Sequence, residues 1–383
     1  MAIQSLASSE DFPAKDKWCY LNAASAALMY GKAAADIISW QKDLAENGTL
    51  NFDERAEEDI FEDLHRAVAT LLGAQPSDIA VGSSATELFS SLAWAMLPSK
   101  VNVIVGTDTA HPSTVYPWQR VARQAECEFR MARSDARGYV DPEGLLALID
   151  NRTSVVAISH VEYRNGQVYD LKKLAERAHH YGARLVVDAT QSAGQVPIDV
   201  GETGVDAIVS SAYKWLCGPF GVAVMYLAPS LQQSLDPGLV GWRSHKNMWE
   251  FRATRLEYPN TAKRFEASTM AYGCAIGLAQ AVQYLNGIGV DRILAHNKQL
   301  ADVLAKALAP MGARVLSPEA NSERSSIISV DFPGRDTQAI ARQLNANNIV
   351  VSYRMGAIRI SPHLYNDESD IHELVDATGR FLR

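Results

Sequence analysis

Residues 210–227 read SSAYKWLCGPFGVAVMYL. A short apolar strand, Ala207 to Val209, precedes this stretch and an apolar run ends it, so Lys214 falls in a polar turn followed by a Gly-Pro-Phe-Gly loop. A reactive amine there would be held where two elements meet. Most lysines are solvated surface charges, so the turn acquires chemical meaning only from the rest of the chain.

Working outward, RLVVDATQSAG (184–194) is an apolar strand that ends at Asp188, with Gln191 and Ser192 on the turn beyond it. Further upstream, DIAVGSSATELF (78–89) runs from a strand at Ile79 to Val81 through Gly82 into a helix starting near Ala85, and Ser84-x-x-Glu87 has the form of a capping box. A helix start carries free N–H groups and the favourable end of the dipole, so this turn either binds phosphate or is an ordinary capped junction. No Gly-Lys-Ser/Thr follows the glycine, which excludes a Walker loop.

Between these segments, VNVIVGTDTAHPSTVYPW (101–118) places a strand before a loop holding His111, a residue suited either to stack on a planar ring or to fill a polar gap. The strand Val155 to Ser159 ends in HVEYRNGQ, with Tyr163 on a polar connection, and LKKLAERAHHYG reads as a helix closed by Gly182. Strands and helices alternate, and in parallel sheets ligands sit outside the carboxyl ends of the strands. The Ser84 turn, Asp188 and Lys214 all fall on that edge.

On the flanks, apolar residues recur at helical spacing from Ala33 to Leu72. WCYLNAASAAL (18–28) has Asn22 among small residues, as suits a loop near a ligand or a domain junction. The segment 238–260 is irregular and rich in aromatic residues and arginine; Trp242, Arg243, His245, Arg252 and Arg255 are candidates to shape a side-chain pocket, and the basic cluster suits a second substrate carboxylate. From about 290 onward helix, strand and helix alternate as in a smaller domain.

The chain has 383 residues, more than one core usually serves, so two domains are expected: a large one at 15–255 and a small one at 256–383, with 1–14 packing near the latter. A formal charge of −8 disfavours nucleic acid and anionic membranes as partners. Neither a secretory signal nor a spanning segment is evident, which points to the cytoplasm. Cys19, Cys127, Cys217 and Cys274 are far apart and form no Cys-x-x-Cys pair, so reduced thiols and no metal site are expected.

These groups answer what one cofactor demands. Pyridoxal 5′-phosphate needs a lysine for its aldehyde, a carboxylate for its ring nitrogen, convergent donors for its phosphate and a stacking partner for its ring. Lys214, Asp188, the Ser84 to Thr86 turn and His111 are of those types, and Gln191 suits the phenolic oxygen.

The chain resembles class V aminotransferase-like enzymes of the type I pyridoxal phosphate fold, a family that includes cysteine desulfurases, selenocysteine lyases, isopenicillin N epimerase and kynureninase. The likeness runs in order through YLNAAS, GSSATE, AHPSTVYPW, SHVEYRNGQVYDL, VVDATQSAG, SSAYKWLCGPFG, RFEAST and IRISPHLYND. It implies an α/β architecture: a large domain with a mainly parallel sheet plus a smaller C-terminal α+β domain. It also implies that Lys214 is the Schiff-base lysine and that Ser84, Ala85, Thr86, Ser211 and Tyr213 bind phosphate. His111 would stack on the ring, Asp188 and Gln191 would hold it, and Thr269 would reach the phosphate of a neighbouring subunit in a homodimer with its active site at the interface. Arg359 would clamp the substrate carboxylate, beside Asn22 and Tyr163.

Two departures matter. Where many members have an asparagine near the phenolic oxygen, this chain carries Tyr163, and no cysteine follows Cys274 to serve as the mobile persulfide carrier of the desulfurases. The expected activity is therefore elimination of a β-leaving group, most often sulfur, from an amino acid, with epimerisation or transamination as alternatives. A non-catalytic cofactor-binding regulator is the remaining alternative; the first family motif begins near Tyr20, which leaves no room for a DNA-binding module.

Overall fold

The computed structural model describes residues 2–382. Its larger sheet has seven strands: β1 (Ile79–Gly82), β2 (Val103–Thr107), β3 (Glu128–Ala132), β4 (Thr153–Ser159), β5 (Arg184–Asp188), β6 (Ala207–Ser211) and β7 (Ala223–Leu227), in the order β1-β7-β6-β5-β4-β2-β3. β7 runs antiparallel to both β1 and β6, while the remaining pairs are parallel. The sheet is covered on both faces, which is why its central strands are continuous apolar runs. Alternate residues divide between the faces: Val156, Ile158, Leu185 and Val187 join one cluster, and Val155, Ala157 and Val186 the other.

Helices α1 (Gly31–Asn47), α2 (Glu62–Leu72), α3 (Ala85–Ala95), α4 (Pro112–Ala125) and α5 (Leu171–His180) surround this sheet. Leu88, Phe89 and Leu92 of α3 and Trp118 and Val121 of α4 cover one face. Leu64 and Val68 of α2 and Leu171 and Leu174 of α5 cover the other. That second cluster also takes in Tyr272, Leu278, Val282 and Leu285 of α6 (Tyr272–Ile288), which runs against α1 and α2.

A four-stranded antiparallel sheet, β8 (Arg314–Val315), β9 (Ile328–Asp331), β10 (Ser352–Arg354) and β11 (Ala357–Ile360), has the order β10-β11-β9-β8. It packs with α7 (Val290–Leu308), α8 (Thr337–Ala346) and α9 (Glu368–Phe381) around Leu300, Leu304, Ile340 and Leu374. Cys19 and Leu21 belong to this core, through a short parallel ladder of Cys19–Tyr20 with Ile349–Val350, whereas Ala7 and Phe12 belong to the large cluster. We propose that the two bodies divide at Gly289, the single residue between α6 and α7, rather than at 255, with Cys19 to Leu21 returning to the smaller body and the first residues serving the larger.

The bodies are tied beside the lysine turn. His363 Nε2 donates to the Trp215 carbonyl at 3.1 Å, and the Trp215 indole N–H donates to Gln191 Oε1 at 2.8 Å. Gly194 has φ +93° and lies so close to the Trp215 carbonyl that a Cβ there would overlap it, so only glycine lets the two turns meet.

Candidate active site

Three strand ends build the site. Asp188 terminates β5, Ser211 terminates β6, and Gly82 ends β1 just before Ser84 caps α3. One cavity is lined by Ser84, Ala85, Thr86, His111, Ser113, Ser159, Val161, Tyr163, Asp188, Thr190, Gln191, Ser211, Tyr213 and Lys214. Ten of the residues picked from sequence therefore share one space; Asn22, Thr269 and Arg359 do not line it.

At the α3 end, Ser84 Oγ accepts the Glu87 N–H at 3.1 Å, while Glu87 reaches back to the Ser83 N–H at 3.0 Å, one residue earlier than a capping box on Ser84 requires. The N–H groups of Ala85 and Thr86 precede the first residue able to bond within the helix, and both residues line the cavity. Such a helix start suits an anion.

Asp188 is buried and held in place. Its Oδ1 accepts the Thr190 N–H at 2.9 Å and its Oδ2 the Thr114 hydroxyl at 2.5 Å. Thr114 is fully buried in the first turn of α4, whose start is set by Pro112 and capped by His111. His111 Nδ1 accepts the Ser113 N–H at 3.2 Å, which leaves the ring proton of the neutral form on Nε2. Burial, and then the charge of Lys214, hold the imidazole below its ordinary value, with Asp188 opposing. Its ring meets Tyr163 edge-on, with centroids 5.5 Å apart.

Lys214 is 9% exposed and makes no hydrogen bond through Nζ among the described residues. Burial lowers its amine to about 8, Asp188 opposes this, and the charges of Arg359 and Arg354 add to it. The shift favours the neutral, nucleophilic amine. The turn is closed by the Cys217 N–H on the Lys214 carbonyl at 2.9 Å, and Tyr213 stacks on Phe220 at 4.4 Å.

Gln191 is more committed than its sequence position suggests. Its Nε2 donates to the Ala24 carbonyl at 2.9 Å and its Oε1 accepts from Trp215, so one amide N–H is left for a ligand. Arg359 lies behind Tyr163, donating to the Tyr163 carbonyl and to Ser25 Oγ, both at 2.7 Å, and to Ser352 Oγ at 3.2 Å. It is 2% exposed and has no carboxylate partner among the described residues. Burial and the charge of Arg354 push it down to about 10. Asn22 bridges to Ser361, and its side-chain oxygen is buried without a partner. The side chain of Thr269 is exposed. Asn165 turns away from the cavity, donating to the Gly138 carbonyl at 2.8 Å.

None of the basic cluster read from residues 243–255 lines this cavity within one chain. Arg243 is buried against the Glu57 carbonyl and the Tyr272 hydroxyl, while Arg252 and Arg255 pair with Glu250, and Arg255 also with Glu257. These guanidiniums are occupied by neighbours in an irregular segment where sequence spacing gives no pairing rule.

Glu162 lies on the connection that follows β4. It is fully buried; Oε1 accepts from Thr107 at 3.0 Å and Tyr169 at 3.2 Å, and Oε2 has no partner. Burial raises its carboxyl to about 7, against the hydrogen bonds from Thr107 and Tyr169 and with help from the charge of Asp188. A carboxyl that binds its proton more tightly folded than unfolded contributes stability that is complete below the ordinary glutamate value and is lost as pH rises through about 7. Thermal midpoints of wild type and Glu162→Gln, measured by calorimetry from pH 5 to 8, should diverge in favour of the variant on the alkaline side. Parallel curves would refute this linkage.

A sheet with one reversed strand and a lysine, a carboxylate and a helix start gathered at its carboxyl edge mark an enzyme of the pyridoxal phosphate type I architecture. The chain belongs to the class-V aminotransferase family, whose model matches residues 19–374. It is 28% identical over 373 residues to the uncharacterized aminotransferase YcbU of Bacillus subtilis, covering 95% of each chain. It is 26% identical to a cysteine desulfurase of Haloferax volcanii, covering 83% of this chain and 78% of that one. The apo structure of the cysteine desulfurase from Thermococcus onnurineus NA1 superposes with a TM-score of 0.87 at 22% identity, covering 98% of this chain and 97% of that one.

Proposed function

We propose that this chain is a pyridoxal 5′-phosphate-dependent lyase that expels a sulfur leaving group from the β-carbon of an amino acid, acting as a cytoplasmic homodimer. The observation that carries the reading is the placement of the buried Lys214 amine and the buried Asp188 carboxylate on one cavity wall. The donor set fits the cofactor. The free N–H groups at the start of α3, with Thr86, Ser211 and Tyr213, suit its phosphate, the remaining amide N–H of Gln191 suits its phenolic oxygen, and His111 suits its ring face.

Bound there, the cofactor supplies an electron-accepting ring that acidifies the Cα–H of an amino acid attached to it. Asp188, fixed by Thr114 and Thr190, would hold a proton at the ring nitrogen. Lys214 would hold the cofactor through its amine, and the same amine is the group on this wall suited to take a proton from a substrate Cα. Arg359, a buried cation with no carboxylate partner among the described residues, suits the substrate carboxylate. Thr269 is exposed in the single chain and would serve the cofactor phosphate of a second copy.

The relative that is a cysteine desulfurase supports sulfur chemistry, but none of the four cysteines lines this cavity. Cys19 and Cys217 are buried, and burial pushes both thiols up, away from thiolate. Sulfur therefore leaves with the substrate fragment rather than on a protein thiol. No helix among the described residues is long and apolar enough to cross a membrane. Holoenzyme incubated with cysteine S-conjugates should release keto acid, ammonia and thiol in equal amounts. Turnover of none of the conjugates would overturn the lyase reading.

A further inference from the structure

The β10–β11 hairpin sets two arginines on one face. Ser352 pairs with Arg359 and Arg354 with Ala357, and alternate strand residues share a face, so Arg354 stands diagonally beside Arg359, about 7–8 Å away and nearer the turn. The turn itself meets the cavity wall, because the Tyr163 hydroxyl touches Met355 Sδ at 3.7 Å and Tyr163 lines the cavity.

Arg354 is exposed, and its guanidinium donates only to the Tyr353 carbonyl at 3.1 Å, with no carboxylate partner among the described residues. Its charge nonetheless bears on both Lys214 and Arg359. Lys214 lines the cavity, and Arg359 and Arg354 lie on the hairpin that meets its wall at Tyr163, while Asp188, the one carboxylate on the wall, is engaged by Thr114 and Thr190. The cofactor phosphate belongs at the start of α3, and Arg359 takes the α-carboxylate. That leaves Arg354, on the hairpin whose turn meets Tyr163, with most of its fork of donors unused.

Resting on the reading of the cavity as an amino-acid lyase site, we propose that Arg354 recognises a second anionic group at the far end of the substrate side chain. The preferred substrates are then thio amino acids ending in a carboxylate or a comparable anion, rather than neutral conjugates.

The test is calorimetric binding to holoenzyme of two amino acids of equal chain length without a leaving group, L-2-aminoadipate and L-norleucine. Wild type should bind the aminoadipate about tenfold more tightly, a preference that shrinks as salt is added. Arg354→Ala should abolish the preference while leaving norleucine affinity in place, and Arg354→Lys should keep part of it. Equal binding by wild type, or a preference that survives Arg354→Ala, overturns the role of Arg354 alone. Binding of neither amino acid to wild type overturns the amino-acid reading of the cavity and this inference with it.

Discussion

Replacing Lys214 by alanine is expected to lower turnover by at least about 10³-fold and to abolish the absorbance of the lysine-linked cofactor. The chain offers no substitute within the site: no second lysine lines the cavity, and the other titratable groups on its wall are His111, Tyr163, Asp188 and Tyr213. The fold should survive the change. Nζ has no hydrogen-bond partner, and burial already works against its charge, so removing it takes away a desolvated cation rather than a contact. Cofactor absorbance, single-turnover rates and thermal midpoints of the variant check the three parts separately. An unaltered spectrum would move the reactive amine to another lysine.

Asp188→Asn should lower kcat by about 10²- to 10³-fold while the cofactor remains bound. The asparagine keeps the size of the side chain and an oxygen able to accept from the Thr190 N–H, so the pocket keeps its shape. What it loses is the negative charge that would keep a proton on the ring nitrogen. Thr114 sharpens the test, because its buried hydroxyl donates to Asp188 Oδ2 and would face an NH2 group in one amide orientation. A kcat within a few-fold of wild type, at full cofactor occupancy, would show that the carboxylate has no electronic part in the reaction.

The large sheet was readable because its strands are short apolar runs that stop at polar turns. Asp188 ends such a run, Ser84 follows one, and the helix begins at Ala85, the position that the capping pattern indicates. The gathering of these turns into one cavity also follows, since strands running in parallel leave their carboxyl ends on one edge. Other features depend on partners remote in sequence. Nothing near Gln191 announces that Trp215 will take its carboxamide oxygen, and nothing near Tyr163 announces that Arg359 will take its carbonyl. The proposed division at Gly289 rather than 255 has a related origin: α6 is apolar around much of its surface, and its packing against α1 and α2 is what groups it with the larger body. Glu162 escaped because a lone glutamate on a connection reads as solvated until its burial is seen.

The reversal of β7 also dictates an order of assembly. β1 has β7 as its only neighbour in the sheet, with Ile79 paired to Tyr226. The helix-start turn that follows β1 therefore cannot take its place beside Asp188 while the nascent chain is still short of β7. Strands β2 to β6 can zip together as they emerge from the ribosome, but their anion-binding corner stays unplaced until the reversed strand arrives and carries β1 to the edge. Newly made chains should thus acquire cofactor affinity abruptly, after residue 227 has cleared the exit tunnel, rather than in proportion to the length synthesised.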